Sequence, residues 1–200
     1  MLVVGAGGFA IQLSGVLDEL GLLGNCVFFD DTQKQPRRFL DKFEIINSKE
    51  GAIEYLKQKG ARFILGLGNP QLRREFYEFF TSFGATSLQI LSKNATYGNY
   101  DLMIGEGTTV LAGCVIESTV RIGKGVLVNL NSVITHESTI ANFCEIGPGV
   151  TICGKVEIGQ ETFLGAGAIV LPGVKIGKNV KIGAGVVVKK DVEDGQIVRN

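Results

Sequence analysis

Two architectures in tandem are predicted by the sequence: an α/β domain over residues 1–92, then a parallel β-helix of about five coils over residues 93–200. Two observations carry this. In the first half, short apolar runs alternate with stretches of helical spacing. In the second, an aliphatic residue recurs every six positions from Ile104 to Val188, fifteen times without a slip.

The first half divides as follows. Residues 1–5 form an apolar strand, 9–20 have helical spacing, and 26–29 form a second strand ending at Asp30-Asp31. A second helix spans 48–59, with Ser48 as N-cap and Glu50 and Glu54 near its positive end. Residues 62–67 make a third strand, and 70–83 a helix opened by Pro70. A short fourth strand covers 86–91. This βαβαβ order implies a small parallel sheet with helices on its faces.

In the second half the repeat runs Ile104, Val110, Ile116, Ile122, Val128, Ile134, Ile140, Ile146, Ile152, Ile158, Leu164, Val170, Ile176, Ile182, Val188. If roughly a quarter of residues are Ile, Leu or Val, so long a run in phase does not arise by chance. A helix requires period 3.6 and a single strand period 2. Period six with glycine directly after many aliphatics, as at Gly105, Gly123, Gly147 and Gly165, fits short strands joined by tight turns. Three hexapeptides then close one triangular coil, and the aliphatics stack inside the prism.

Composition narrows the function. Lys plus Arg and Asp plus Glu are 20 each, so the net charge is zero, and a nucleic-acid or membrane-surface binder would need a basic excess. No stretch is apolar enough to insert in a membrane. Cys26, Cys114, Cys144 and Cys153 form no CxxC pair, and with one histidine no metal set assembles. Buried reduced thiols and the lack of a charged, apolar leader predict a cytoplasmic protein.

Stepping by eighteen places residues above one another. His136, the single histidine, lies near a corner with Gly154 one coil further on and Pro172 beyond. On another corner Pro148, Ala166 and Ala184 form a column, beside Gly149, Gly167 and Gly185. Small residues on the outside of a prism make a shallow groove suited to an extended chain. Glu137 adjoins His136, where it can orient and charge-stabilise the imidazole.

This hexapeptide repeat resembles the hexapeptide-repeat acyltransferase superfamily, and Asn131-Ser132-Val133-Ile134-Thr135-His136-Glu137 resembles the catalytic stretch of its bacterial nucleotide-sugar N-acetyltransferases. The resemblance implies a left-handed coil, opposite to the general crossover rule. It also implies a Rossmann-like N-terminal domain, acetyl-CoA as donor, a nucleotide sugar as acceptor and a homotrimer. His136 and Glu137 would be catalytic, and Glu145, Gly154, Ala166 and Ala184 would contact acetyl-CoA. Gly7, Gly8 and Phe9, within Gly5-Ala6-Gly7-Gly8-Phe9-Ala10, would face the sugar diphosphate. Asp30 and Asp31 would meet the base and ribose, and Gly68 would line the pocket.

Two positions depart from the relatives. Phe9 stands where some carry histidine, and Glu145 where many carry a second histidine. An ionised glutamate accepts hydrogen bonds but donates none to a thioester carbonyl, so that role would pass to backbone N–H groups near Gly154. Other readings remain. The acceptor could be a hydroxyl, as in O-acetylation of sialic acid or a polysaccharide precursor. Gly5-Ala6-Gly7-Gly8-Phe9-Ala10 also matches G-x-G-x-x-A after a strand, with Asp30 ending the next, as in a nucleotide-binding sensor or redox module. A zinc carbonic anhydrase on the same scaffold would need three histidines.

Overall fold

A computed structural model describes residues 1–32 and 38–199. The chain divides into two compact units, Met1–Ile90 and Leu91–Asn200.

The first unit orders its elements β1 (Leu2–Val4), α1 (Gly8–Glu19), β2 (Val27–Phe29), β3 (Ile45–Ile46), α2 (Lys49–Lys59), β4 (Arg62–Leu65), α3 (Pro70–Ser82) and β5 (Thr86–Ser87), with a 3₁₀ turn at Leu23–Asn25. All strands are parallel, in the order β3-β2-β1-β4-β5. Strands buried on both faces must be apolar throughout, and Leu2, Val3, Val4, Phe28, Phe29, Phe63, Ile64 and Leu65 are at most 1% exposed. Phe29 packs edge-on against Phe76 and Phe80 of α3, with centroids 5.6 and 5.7 Å away. The caps follow the sequence: Ser48 Oγ accepts the Gly51 N–H at 3.2 Å, and Asn69 Oδ1 accepts the Leu72 N–H at 3.0 Å.

Sequence and structure differ here in two places. The run 86–91 is not one strand. Leu88 N–H donates to the Phe63 carbonyl beside β4, whereas Ser92 N–H donates to Val110, and Ile90–Leu91 heads a sheet of the β-helix. One apolar run thus serves two sets of backbone partners. The second difference is β3, an edge pair of two residues too short for any periodicity to mark.

The second unit is a parallel β-helix whose two-residue strands stack into three sheets. Partners are eighteen residues apart. Face one aligns Val115, Val133, Thr151, Ile169 and Val187. Face two aligns Met103, Arg121, Thr139, Glu157 and Lys175. Face three aligns Thr109, Leu127, Glu145, Phe163 and Lys181. The aliphatic residue after each of these points inward, and from Val110 to Val188 none is more than 4% exposed. Each buried aliphatic contributes about 1.5–3 kcal/mol of transfer free energy.

The corners have one rule. The third residue after each aliphatic from Ile104 to Ile182 takes a positive φ. Glycine fills this position at Gly107, Gly113, Gly125, Gly149, Gly167, Gly173 and Gly185, where a left-handed backbone carries no Cβ penalty. The others are Thr119 (φ +64°), Asn131 (+58°), Glu137 (+59°), Phe143 (+58°), Lys155 (+61°), Glu161 (+56°) and Asn179 (+55°). A residue with a Cβ there costs about 1–2 kcal/mol, less for asparagine.

Candidate active site

His136 lies at the corner between faces one and two, directly below Gly154. A Cβ on Gly154 would stand 2.5 Å from His136 Cε1 and 2.7 Å from Nε2. The imidazole therefore occupies the space that the missing side chain leaves, rather than standing beside it. Three groups fix the rest. Glu137 Oε1 is 3.1 Å from His136 Nδ1. Lys155, one coil above Glu137, brings Nζ to 3.7 Å from the other carboxylate oxygen. Glu117, from the coil below, accepts the His136 backbone N–H at 2.8 Å. A carboxylate only accepts, so Nδ1 is the nitrogen that donates to it, and in the neutral ring this assigns the lone pair to Nε2. The His136 side chain is 56% exposed, open to an incoming group. An exposed imidazole with a carboxylate on its Nδ1 has the parts of a general base.

The corner between faces three and one carries Pro148, Ala166 and Ala184, all exposed, with open space beside Gly149 and Gly167. Between these two corners runs face one, whose outward side chains are apolar apart from Thr151: Val115, Ile169 and Val187 are 38%, 37% and 41% exposed. Glu145 is not gathered with His136 within one chain. It lies on face three between Leu127 and Phe163.

The first unit holds a separate cavity of about 340 Å³. It opens at the carboxyl ends of β1, β2 and β4, where the strand order reverses about β1 and α/β sheets bind ligands. Gly5 (φ +107°) lets the β1 and β4 ends approach, since a Cβ there would meet the Gly66 carbonyl oxygen at 2.7 Å. Gly7 caps α1 without a side chain, and no atom comes within 4 Å of where a Cβ on Gly7 or Gly8 would stand. The first N–H groups of the helix are thus accessible to an anion.

Of the residues expected here, Gly7, Asp30 and Asp31 line the cavity. Gly8 opens α1, Phe9 is half-buried in it, and at Gly68 it is the neighbour Leu67 that lines the wall. One Asp30 oxygen is already engaged by Thr32 N–H at 3.0 Å and its hydroxyl at 2.6 Å. Arg73, 1% exposed, donates to the carbonyls of Leu67 and Gly68 and holds that loop. Sequence reasoning missed Lys49, Glu75 and Phe76 of the lining. The ammonium of Lys49 is 5.3 Å from the Phe76 ring centroid and 4.0 Å from Glu75. Its signal was present in the sequence, because a lysine at the first position of a helix opposes the macrodipole.

A prism of stacked hexapeptides, joined in sequence to a parallel α/β sheet, is an architecture similar to that of the transferases built on a left-handed β-helix. Residues 155–190 match the bacterial transferase hexapeptide, and residues 1–80 match the PglD N-terminal domain. The chain is thus similar to the hexapeptide transferases over part of its second unit, and to proteins with the PglD N-terminal domain over most of its first.

Solved structures agree over nearly the whole length. The acetyltransferase domain of PglB from Neisseria gonorrhoeae, in complex with acetyl coenzyme A, is 27% identical, covering 100% of this chain and 95% of that one, with TM-score 0.89. A variant of the perosamine N-acetyltransferase from Caulobacter crescentus, in complex with CoA and GDP-perosamine, is 26% identical over 98% and 91%, with TM-score 0.92. The bifunctional protein GlmU of Clostridioides difficile is 33% identical over 104 residues, which are 52% of this chain and 22% of that protein. Among the described residues no helix is long and apolar enough to cross a membrane, and no three His, Cys, Asp or Glu group as metal ligands.

Proposed function

We propose that this chain transfers the acetyl group of acetyl-CoA to the amino group of a nucleotide-linked amino sugar, of the UDP-4-amino-4,6-dideoxy type, in bacterial glycan synthesis. The observation that carries the reading is the exposed His136 with its Nδ1 tied to Glu137. The unprotonated amine attacks the thioester carbonyl carbon. His136 Nε2 takes the amine proton, Glu137 stabilises the imidazolium, and the C–S bond breaks. The proton then passes to the departing thiolate, so that amide and CoA thiol are the products. No cysteine is needed as a nucleophile.

The nucleotide is assigned to the cavity of the first unit, with its diphosphate at Gly7, Gly8 and Phe9, its base and ribose at Asp30 and Asp31, and Gly68 at the edge of the pocket. The donor runs along the small residues Gly154, Ala166 and Ala184, with Glu145 toward the acyl end. The apolar face one is covered by a second copy in a cytoplasmic homotrimer. The two similar structures with acetyl coenzyme A or with CoA and GDP-perosamine support both ligands.

An acceptor screen tests the reading. Thiol release from acetyl-CoA is measured across UDP-, dTDP- and GDP-linked amino sugars and free sialic acid. Turnover with an amino sugar nucleotide is expected, and His136→Ala is expected to lower kcat by roughly two orders of magnitude or more. Turnover confined to a hydroxyl acceptor, or tight NAD binding with no sugar nucleotide bound, would sink it.

A further inference from the structure

The corner that holds His136 breaks the rule that the other corners keep. From Gly113 to Gly185, the N–H of the positive-φ residue donates to a backbone carbonyl of the coil below at every corner but one among the described residues. Asn131 reaches Ala112 at 3.1 Å, Phe143 reaches Lys124 at 2.9 Å, and Lys155 reaches His136 at 3.0 Å. At Glu137 the bond goes instead to the Thr119 hydroxyl, at 3.0 Å, and that hydroxyl donates to the Ser118 carbonyl. A hydroxyl is thus inserted into the ladder at this corner.

The preceding N–H, that of His136, is also taken by a side chain of the lower coil, Glu117. Two consecutive amides of the His136–Glu137 pair therefore rest on two side chains one coil below. Thr119 meets this demand in a conformation it disfavours. It is a β-branched residue at φ +64°, in a position where neighbouring corners place glycine. Strain of this kind persists where the surrounding structure over-determines it.

We propose that Glu117 and Thr119 are positioning residues for His136, replacing the ordinary corner ladder with a side-chain cradle that fixes the His136–Glu137 backbone and, through it, the direction of Nε2. The proposal rests on His136 being the base of the transfer reaction. It makes the cradle a matter of geometry: the His136 amide needs an acceptor at this point, and the Glu137 amide needs a relay. A displacement of about 1 Å at a reacting group can cost a hundredfold in rate.

The single histidine provides a test that does not depend on turnover. In full-length protein labelled with ¹³C-histidine, His136 gives one Cε1–H resonance. Glu117→Ala and Thr119→Gly are expected to move or broaden it toward that of a freely rotating side chain. Glu117→Gln, which keeps an acceptor oxygen, is expected to leave it in place. Thr119→Gly suits the positive φ, so its thermal midpoint checks that the fold is intact. In acetyl transfer, Glu117→Ala and Thr119→Gly should lower kcat by about ten- to a hundredfold, with KM for acetyl-CoA within about twofold. Glu117→Gln should stay within about threefold of the parent. Equal loss in Glu117→Gln and Glu117→Ala would mean that charge, not position, is the role, and would overturn the proposal. So would an unchanged resonance in both Glu117→Ala and Thr119→Gly. A parent protein without acetyl transfer would remove the proposed function, while the resonances would still decide whether the cradle holds His136.

Discussion

At the scale of single residues, Gly154 and His136 form one unit, because the ring fills the volume a Cβ would need. Gly154→Ala should therefore displace the imidazole while the prism survives, since the glycine takes ordinary backbone angles and its carbonyl bond to the Gly173 N–H is kept. The expected result is a fall in kcat of at least tenfold with little change in unfolding midpoint; kinetics and thermal melts on the same preparation check it. Glu137→Ala should cost less than loss of the ring, because it tunes the base without being it. Among the thiols, burial pushes Cys114 and Cys26 up, whereas Cys153 is half-exposed beside Gly154. Iodoacetamide mapping of the native protein should find Cys153 modified first. The eighteen-residue period made the pairing of His136 with Gly154 legible from sequence. Glu117 and Thr119 were equally within reach of that arithmetic, but only by counting downward from His136, and their hydrogen bonds depend on a corner geometry that spacing does not encode.

At the scale of elements, the strands of the prism are too short to stand alone, so their stability comes from stacking. Ile152 is fully buried in the middle of the stack, and Ile152→Ala should cost about 2–5 kcal/mol in denaturant unfolding. Ser48→Ala, which removes the α2 cap, should cost about 1 kcal/mol. The raised thiols add a pH dependence. A thiol whose folded value lies above its unfolded value of 9.0 favours the fold below that pH, and this contribution is lost as pH rises further. Urea midpoints should accordingly decline above about pH 9, and less steeply in Cys114→Ser. The elements of the first half were legible from caps and apolar runs, with β1, α2 and β4 falling close to their expected places. The run 86–91 was not, because its two ends take their hydrogen bonds from different sheets, which no local pattern reveals.

At the scale of the whole molecule, face one is the surface with a column of exposed aliphatic residues, whereas face two carries Arg121, Glu157 and Lys175. If face one is the trimer contact, Ile169→Glu should shift the mass measured by light scattering from three chains toward one, where a chain is 21.4 kDa. A parent protein that already runs as a monomer at micromolar concentration would exclude that assembly. The strict offset of eighteen between partner strands has a further consequence, for length change. Sequence position here acts like the thread of a screw, in which every residue added sets both a height and an angle. Removing eighteen residues between His136 and Ala166 would shorten the stack and return each later side chain to its own corner. Removing six would keep every aliphatic indoors, and the shortened protein would still fold, but Ala166 and Ala184 would turn by a third of a revolution. Loss of function with no loss of stability would be the mark of such a deletion, so the register of the thread is heritable information apart from the hydrophobic core.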